Sequence, residues 1–144
     1  MLKTPSPENM EESSPATPLK SEYHNVVFHF NPGEAPAEFW VIAAWNPDGH
    51  DRPEAENNSA DEELRRVLLD RGLNFFRITG SSPDESHAEP GWGIVTDEIT
   101  ALNLGRRFRQ EAVFHFNVTG IDLVNCANCK RTALSEPKNR IPTR

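Results

Sequence analysis

His87 and Glu89 have the types and the spacing of a general base and the carboxylate that orients it. A histidine beside a carboxylate is a common acid–base pair because imidazole changes charge near neutral pH. Asp84, three residues upstream of His87, is a further carboxylate for the same role. Asn46 and Gln110 are amides, suited to reading the polar edges of a ligand or donating to an oxyanion rather than to moving protons. Trp45 and Trp92 offer indole faces for stacking, and Asn57 adds another amide. This set points to a small polar ligand, nucleotide-like among the candidates, with His87 and Glu89 performing any proton transfer. The sequence leaves open whether the site binds or catalyses.

Each residue also has a plainer role. His87 can be an exposed loop histidine, and Glu89 a turn residue ahead of Pro90. Asn46 can close an Asx-turn before Pro47, and Gln110 can satisfy backbone at a helix-to-strand junction. The matching alternative function is a non-catalytic module that meets a protein partner through an acidic face or an exposed strand edge.

The elements that must position these residues follow from hydrophobic patterning. Phe39-Trp40-Val41-Ile42-Ala43-Ala44-Trp45 is a continuous apolar run, the pattern of a strand buried on both faces. It stops at Asn46-Pro47, which is turn chemistry, and an acidic polar loop follows. Ser59 and Glu62 have the spacing of a capping box, predicting a helix that starts at Ser59. Leu64, Val67, Leu68 and Arg71 share its face, and Gly72 stands where a C′ glycine belongs. Leu73 to Thr79 reads as a strand, Gly80 to Gly91 as a loop, and Trp92 to Val95 as a short strand. Thr96 or Asp97 caps a second helix, Glu98 to Arg109, with Ile99 and Leu102 inward and Phe108 a further candidate. Ala112 to Phe116 and Ile121 to Asn125 pair as a hairpin, and Val26 to Phe30 is an early strand.

Over residues 39–116 this order is β-α-β-β-α-β, which predicts an α+β two-layer sandwich with a ferredoxin-like core and one flanking strand at each end. A three-layer mixed α/β arrangement is the alternative. In the plait order, Asn46, the 80–91 loop, Gln110 and the start of the first helix meet at one sheet edge, as a site requires.

Composition bounds the rest. A chain of 144 residues suffices for one domain. Residues 1–24 are rich in Pro, Ser, Thr and Glu and are expected to be disordered. Residues 25–126 are expected to form the domain, and 127–144 a loose basic tail. The domain stretch holds 8 Arg, no Lys and 17 Asp plus Glu, a net of −9. That charge disfavours an extensive nucleic-acid footprint. No apolar run approaches the roughly 20 residues of a membrane span, and no signal peptide is evident, so a cytoplasmic protein is expected. Cys126-x-x-Cys129 is half of a zinc motif at most, and it is read as two free thiols. No metal ligand set and no cofactor motif is found; G-x-S-x-G, G-x-G-x-x-G and the Walker loop are missing. The near-identical hexamers Val26–Asn31 and Ala112–Asn117 read as alternating strands, with phenylalanines on one face and histidine on the other.

The chain resembles a small, mostly bacterial family, domain of unknown function 3293. The resemblance rests on Ala44-Trp45-Asn46-Pro47, on Asn57 or Asn58 before a Leu-rich helix, on His87-x-Glu89-Pro90, and on Gly105-Arg106-Arg107-Phe108-x-Gln110-x-Ala112. It spans about residues 22 to 125 and implies a shared fold and a shared site, with no activity attached.

Overall fold

A continuous apolar strand can be buried on both faces only if something covers each face. The computed structural model, which describes residues 21–134, shows how that is done. Strand β2 (Phe39–Ala43) lies near the middle of a seven-stranded sheet. The other strands are β1 (Val27–Phe30), β3 (Asn74–Ser81), β4 (Ala88–Val95), β5 (Ala112–Asn117), β6 (Gly120–Asn125) and β7 (Arg131–Ala133). Their spatial order is β1-β3-β4-β2-β5-β6-β7, and every neighbouring pair is antiparallel. Helix α1 (Glu54–Asp70) connects β2 to β3, and α2 (Glu98–Arg107) connects β4 to β5. The protein is therefore α+β with an all-antiparallel sheet, not a mixed three-layer arrangement.

Alternation divides the core in two. Trp40 and Ile42 face the helices, packing with Leu64 and Leu68 of α1 and Ala101, Leu102 and Leu104 of α2. Phe39 and Val41 point the other way, into a cluster with Phe28, Phe76, Ile78, Phe116 and Ile121. Among the described residues no helix covers this second cluster; the sheet covers itself by curling. Phe28 on edge strand β1 meets Phe114 and Phe116 on β5 edge-to-face, with ring centroids 4.9 and 5.1 Å apart. Four strand steps in a flat sheet would separate β1 and β5 by about 19 Å. Glycine assists the packing: Phe76 lies over its cross-strand partner Gly93, where a Cβ would come within 2.3 Å of the ring.

Several elements differ from expectation. Helix α1 starts at Glu54, not Ser59, with Pro53 in the N-cap position and no side-chain cap. Proline's fixed φ suits a helix start, and Glu54 and Glu56 complement the helix dipole there, so Ser59 and Glu62 lie inside the helix rather than forming a capping box. Its other end is as predicted: Gly72 has φ +67°, and Leu73 N donates to Leu68 O at 3.1 Å. In α2, Asp97 is the cap, accepting from Thr100 N at 2.7 Å. Ile99 is 73% exposed. It lies about 200° around the helix from buried Ala101, at 100° per residue.

Half of the expected 80–91 loop is strand. β3 and β4 pair from Asn74↔Val95 to Ser81↔Ala88, leaving a turn of residues 82–87. The ladder between β2 and β4 ends at Ala43↔Gly91, so Pro90 has a sheet partner on one side only and is tolerated. Strand β7 lies beyond residue 126, where the domain is expected to end. Most of the two tails, residues 1–20 and 135–144, lies outside the described residues. Among the described residues no helix is long and apolar enough to cross a membrane.

Candidate functional site

The Asn46 edge is assembled by strand ends and helix ends. Asn46 follows β2 with a left-handed backbone, φ 49° and ψ 61°. Its amide oxygen accepts from Arg52 N at 3.0 Å and from Asn57 Nδ2 at 2.9 Å. Its Nδ2 donates to Glu89 Oε2 at 2.9 Å, and its backbone N–H donates to Asn57 Oδ1 at 2.9 Å. Asn46 and Asn57 thus bind each other reciprocally. Asn57, in the first turns of α1, is 3% exposed and also donates to Arg52 O.

A second set of bonds joins the end of α2 to the same place. Gln110 Nε2 donates to Trp45 O and Phe108 O, both at 3.1 Å. Asp48 N donates to Arg109 O at 2.7 Å, and the side chains of Asp48 and Arg109 form an ion pair. Arg109 and Asp48 are left-handed too, with φ of 58° and 59°. Three non-glycine residues in this sparsely populated conformation therefore meet at one edge.

The remaining expected site residues are Trp92, Trp45, His87 and Asp84. Trp92 is buried on the helix side of the sheet. The Arg77 guanidinium covers one of its faces at 3.6 Å and is fixed by Asp61 at 2.9 Å. Trp45 is partly buried. The indole N–H groups of Trp45 and Trp92 are both buried without a hydrogen-bond partner. His87 is exposed at the hairpin tip, where its backbone closes the turn on Ser82. Asp84 organises that same turn. Its Oδ1 accepts from Ser86 N at 3.0 Å and from the hydroxyls of Ser82 and Ser86 at 2.8 Å. These bonds, with that from Ser86 N first, hold its carboxyl at about 2. The structure thus joins Asn46, Asn57 and Glu89 in one network and Gln110 beside it, while Asp84 serves its own turn.

Sequence reasoning missed Arg52, Asp48 and Arg109, whose bonds here involve backbone as much as side chain. It also missed a polar cluster around His115 at the far end of β2; the one available signal was that alternation places His115 on the same face as Trp40. Among the described residues no group of histidine, cysteine and carboxylate side chains has the arrangement of a metal site. Cys126 is buried and Cys129 exposed, both unbridged.

Fold and edge together define a class: a small antiparallel α+β domain with a polar network closing one sheet edge. The chain belongs to the family described as protein of unknown function (DUF3293), which matches residues 42–113, half of the chain. That span includes Asn46, Asn57, Glu89 and Gln110. No curated protein and no solved structure matches the chain.

Proposed function

We propose that the Asn46 edge binds a small polar molecule, with a nucleotide-like compound among the candidates. The observation that carries this reading is the meeting of Asn46, Asp48 and Arg109, all left-handed, with a part-buried reciprocal amide pair. Backbone held in such conformations tends to cluster at ligand and catalytic sites. Two buried indole N–H groups, on Trp45 and Trp92, add donors suited to a ligand oxygen. In this reading Glu89 anchors the ligand through the Asn46 network, and His87 and Glu89 carry any proton transfer.

A thermal-shift screen of the full chain tests it, using nucleoside monophosphates, hexoses and amino acids as probes. A true ligand at 100 times its Kd adds about 2.7 kcal/mol to the folded state. The shift is expected to vanish in Asn46→Ala and Glu89→Gln. A shift that survives both variants, or a panel without any shift, sinks the reading.

One observation favours a second reading. Asn46, Asn57 and Gln110 already bond within the protein, which suits a structural latch in a non-catalytic interaction module. Pull-down by the wild type that is unaffected by Asn46→Ala would favour it. Extensive nucleic-acid binding and membrane insertion belong to neither reading, given the acidic domain. A cytoplasmic location is part of both and is checked by cell fractionation. As to fold family, we read residues 39–116 as a ferredoxin-like plait; the antiparallel order β3-β4-β2-β5 supports this.

A further inference from the structure

Trp40 is the second residue of the central strand and Asn46 follows its end, roughly 20 Å apart along an extended chain. Around Trp40 lies a second group of polar side chains from five segments. His115 of β5 is 8% exposed and stacks on Trp40, with ring centroids 3.9 Å apart and planes 5° from parallel. Its Nε2 lies 2.7 Å from Glu38 Oε2. Its Nδ1 faces Arg131 Nη1 at 3.1 Å and Asn117 Nδ2 at 3.4 Å. Both neighbours of Nδ1 are donors, so Nδ1 must accept. The proton is thereby assigned to Nε2, which donates to Glu38.

Arg131 is the guest in this arrangement. Its Nη2 donates to Glu98 Oε1 at 2.6 Å, at the start of α2, and its Nη1 donates to Asp122 Oδ2 at 2.8 Å. Its Cζ lies 5.4 Å from the Trp40 ring centroid. Asn117 Nδ2, 3.3 Å from the same Asp122 oxygen, holds that carboxylate in place. Two carboxylates on separate nitrogens, an imidazole acceptor and an aromatic ring match a planar guanidinium with its fork of N–H groups. A lysine ammonium is a point charge and would match them poorly. The arginine comes from β7, whose three residues are all exposed and which pairs with β6 through a backbone ladder besides the Arg131–Asp122 contact. Its side chain is 34% exposed, so one side of the guanidinium already faces water.

We propose that Glu98, Asp122, His115 and Trp40 form a guanidinium-binding site that Arg131 fills in cis, and that an external guanidinium ligand takes the site when Arg131 swings out. A tethered occupant competes at an effective concentration of order millimolar, so it masks weak external binding. The external group is either a free arginine-like molecule or an arginine side chain of another polypeptide.

The test titrates the full chain with N-acetyl-arginine-methylamide, the lysine counterpart, ethylguanidinium and the tripeptide Gly-Arg-Gly. The His115 ring and Trp40 indole resonances report occupancy. Arg131→Ala is expected to bind the arginine probe about tenfold or more tighter than the wild type. It should prefer that probe to the lysine one, and lose the gain when Glu98→Gln is added. Tighter binding of the tripeptide than of ethylguanidinium would assign a polypeptide source, and equal binding a small molecule. Equal affinity in wild type and Arg131→Ala, no binding to Arg131→Ala, or equal binding of the lysine probe would overturn the proposal. Arg131→Gln, which keeps the aliphatic stem and a donor but removes the guanidinium, serves the same comparison should the alanine variant fold poorly.

Discussion

Asn46 makes four hydrogen bonds through its amide and its backbone N–H, from a backbone that few residues other than glycine adopt. Its truncation takes a donor from Glu89 Oε2 and an acceptor from Asn57 Nδ2 and Arg52 N, while the backbone N–H to Asn57 Oδ1 remains. An unsatisfied buried polar group costs about 1–3 kcal/mol. Asn46→Ala is therefore expected to lower stability by about 1–3 kcal/mol in urea unfolding, with an unchanged m-value. A loss below about 0.5 kcal/mol would mean that the network contributes little to the fold. The two thiols should also behave differently. Burial pushes the Cys126 thiol up to about 11, while Cys129 is exposed and accepts a hydrogen bond from Arg106 at 3.4 Å. Iodoacetamide is expected to modify Cys129 in the folded protein and Cys126 only after unfolding, as resolved by peptide mass mapping. At this scale the sequence was most legible where a polar residue ends a strong strand, as at Asn46. It was least legible at Arg52, Asp48 and Arg109, whose partners come together only after α1 and α2 have docked.

Among the elements, the β3–β4 hairpin departs most from expectation. Gly80, Pro83 and Pro90 punctuate the sequence and suggest a long loop. Pairing on both strands instead extends to Ser81↔Ala88, and the tip is closed by serine hydroxyls around Asp84. The start of α1 departs for a related reason: Ser59 and Glu62 carry a capping pattern, but the helix begins at Glu54 after Pro53, with Asn57 docked on Asn46. Local patterns are overridden when tertiary contacts engage the same residues. The tip gives a pH-dependent prediction. The Asp84 carboxyl is lowered from 3.8 to about 2, so its bonds stabilise the fold fully above about pH 4, and that contribution is lost as pH falls through 2. Asp84→Asn should therefore be less stable than the wild type at neutral pH, with the difference closing between about pH 4 and 2. Urea midpoints across that range measure it, and a constant difference would exclude the linkage.

For the molecule as a whole, the α+β class was legible because helix and strand periods are distinct. The curl was not, because alternation says which residues share a face and nothing about whether that face folds back on itself. The consequence is a sheet that acts as a partition wall between two rooms, one furnished with helices and one with phenylalanines. Ile94 and Ile78 are both fully buried, on opposite sides of the wall. Ile94→Val and Ile78→Val should each cost about 0.5–1.5 kcal/mol, and together they should add within about 0.5 kcal/mol. Ile42→Val with Ile94→Val, in the same room, is the contrasting pair, and its coupling should exceed that margin if contact decides it. A sequence can then drift on the helix side, where the Asn46 network borders α1 and α2, without renegotiating the phenylalanine side. Change in one half of this protein would leave the other half free to stay as it is.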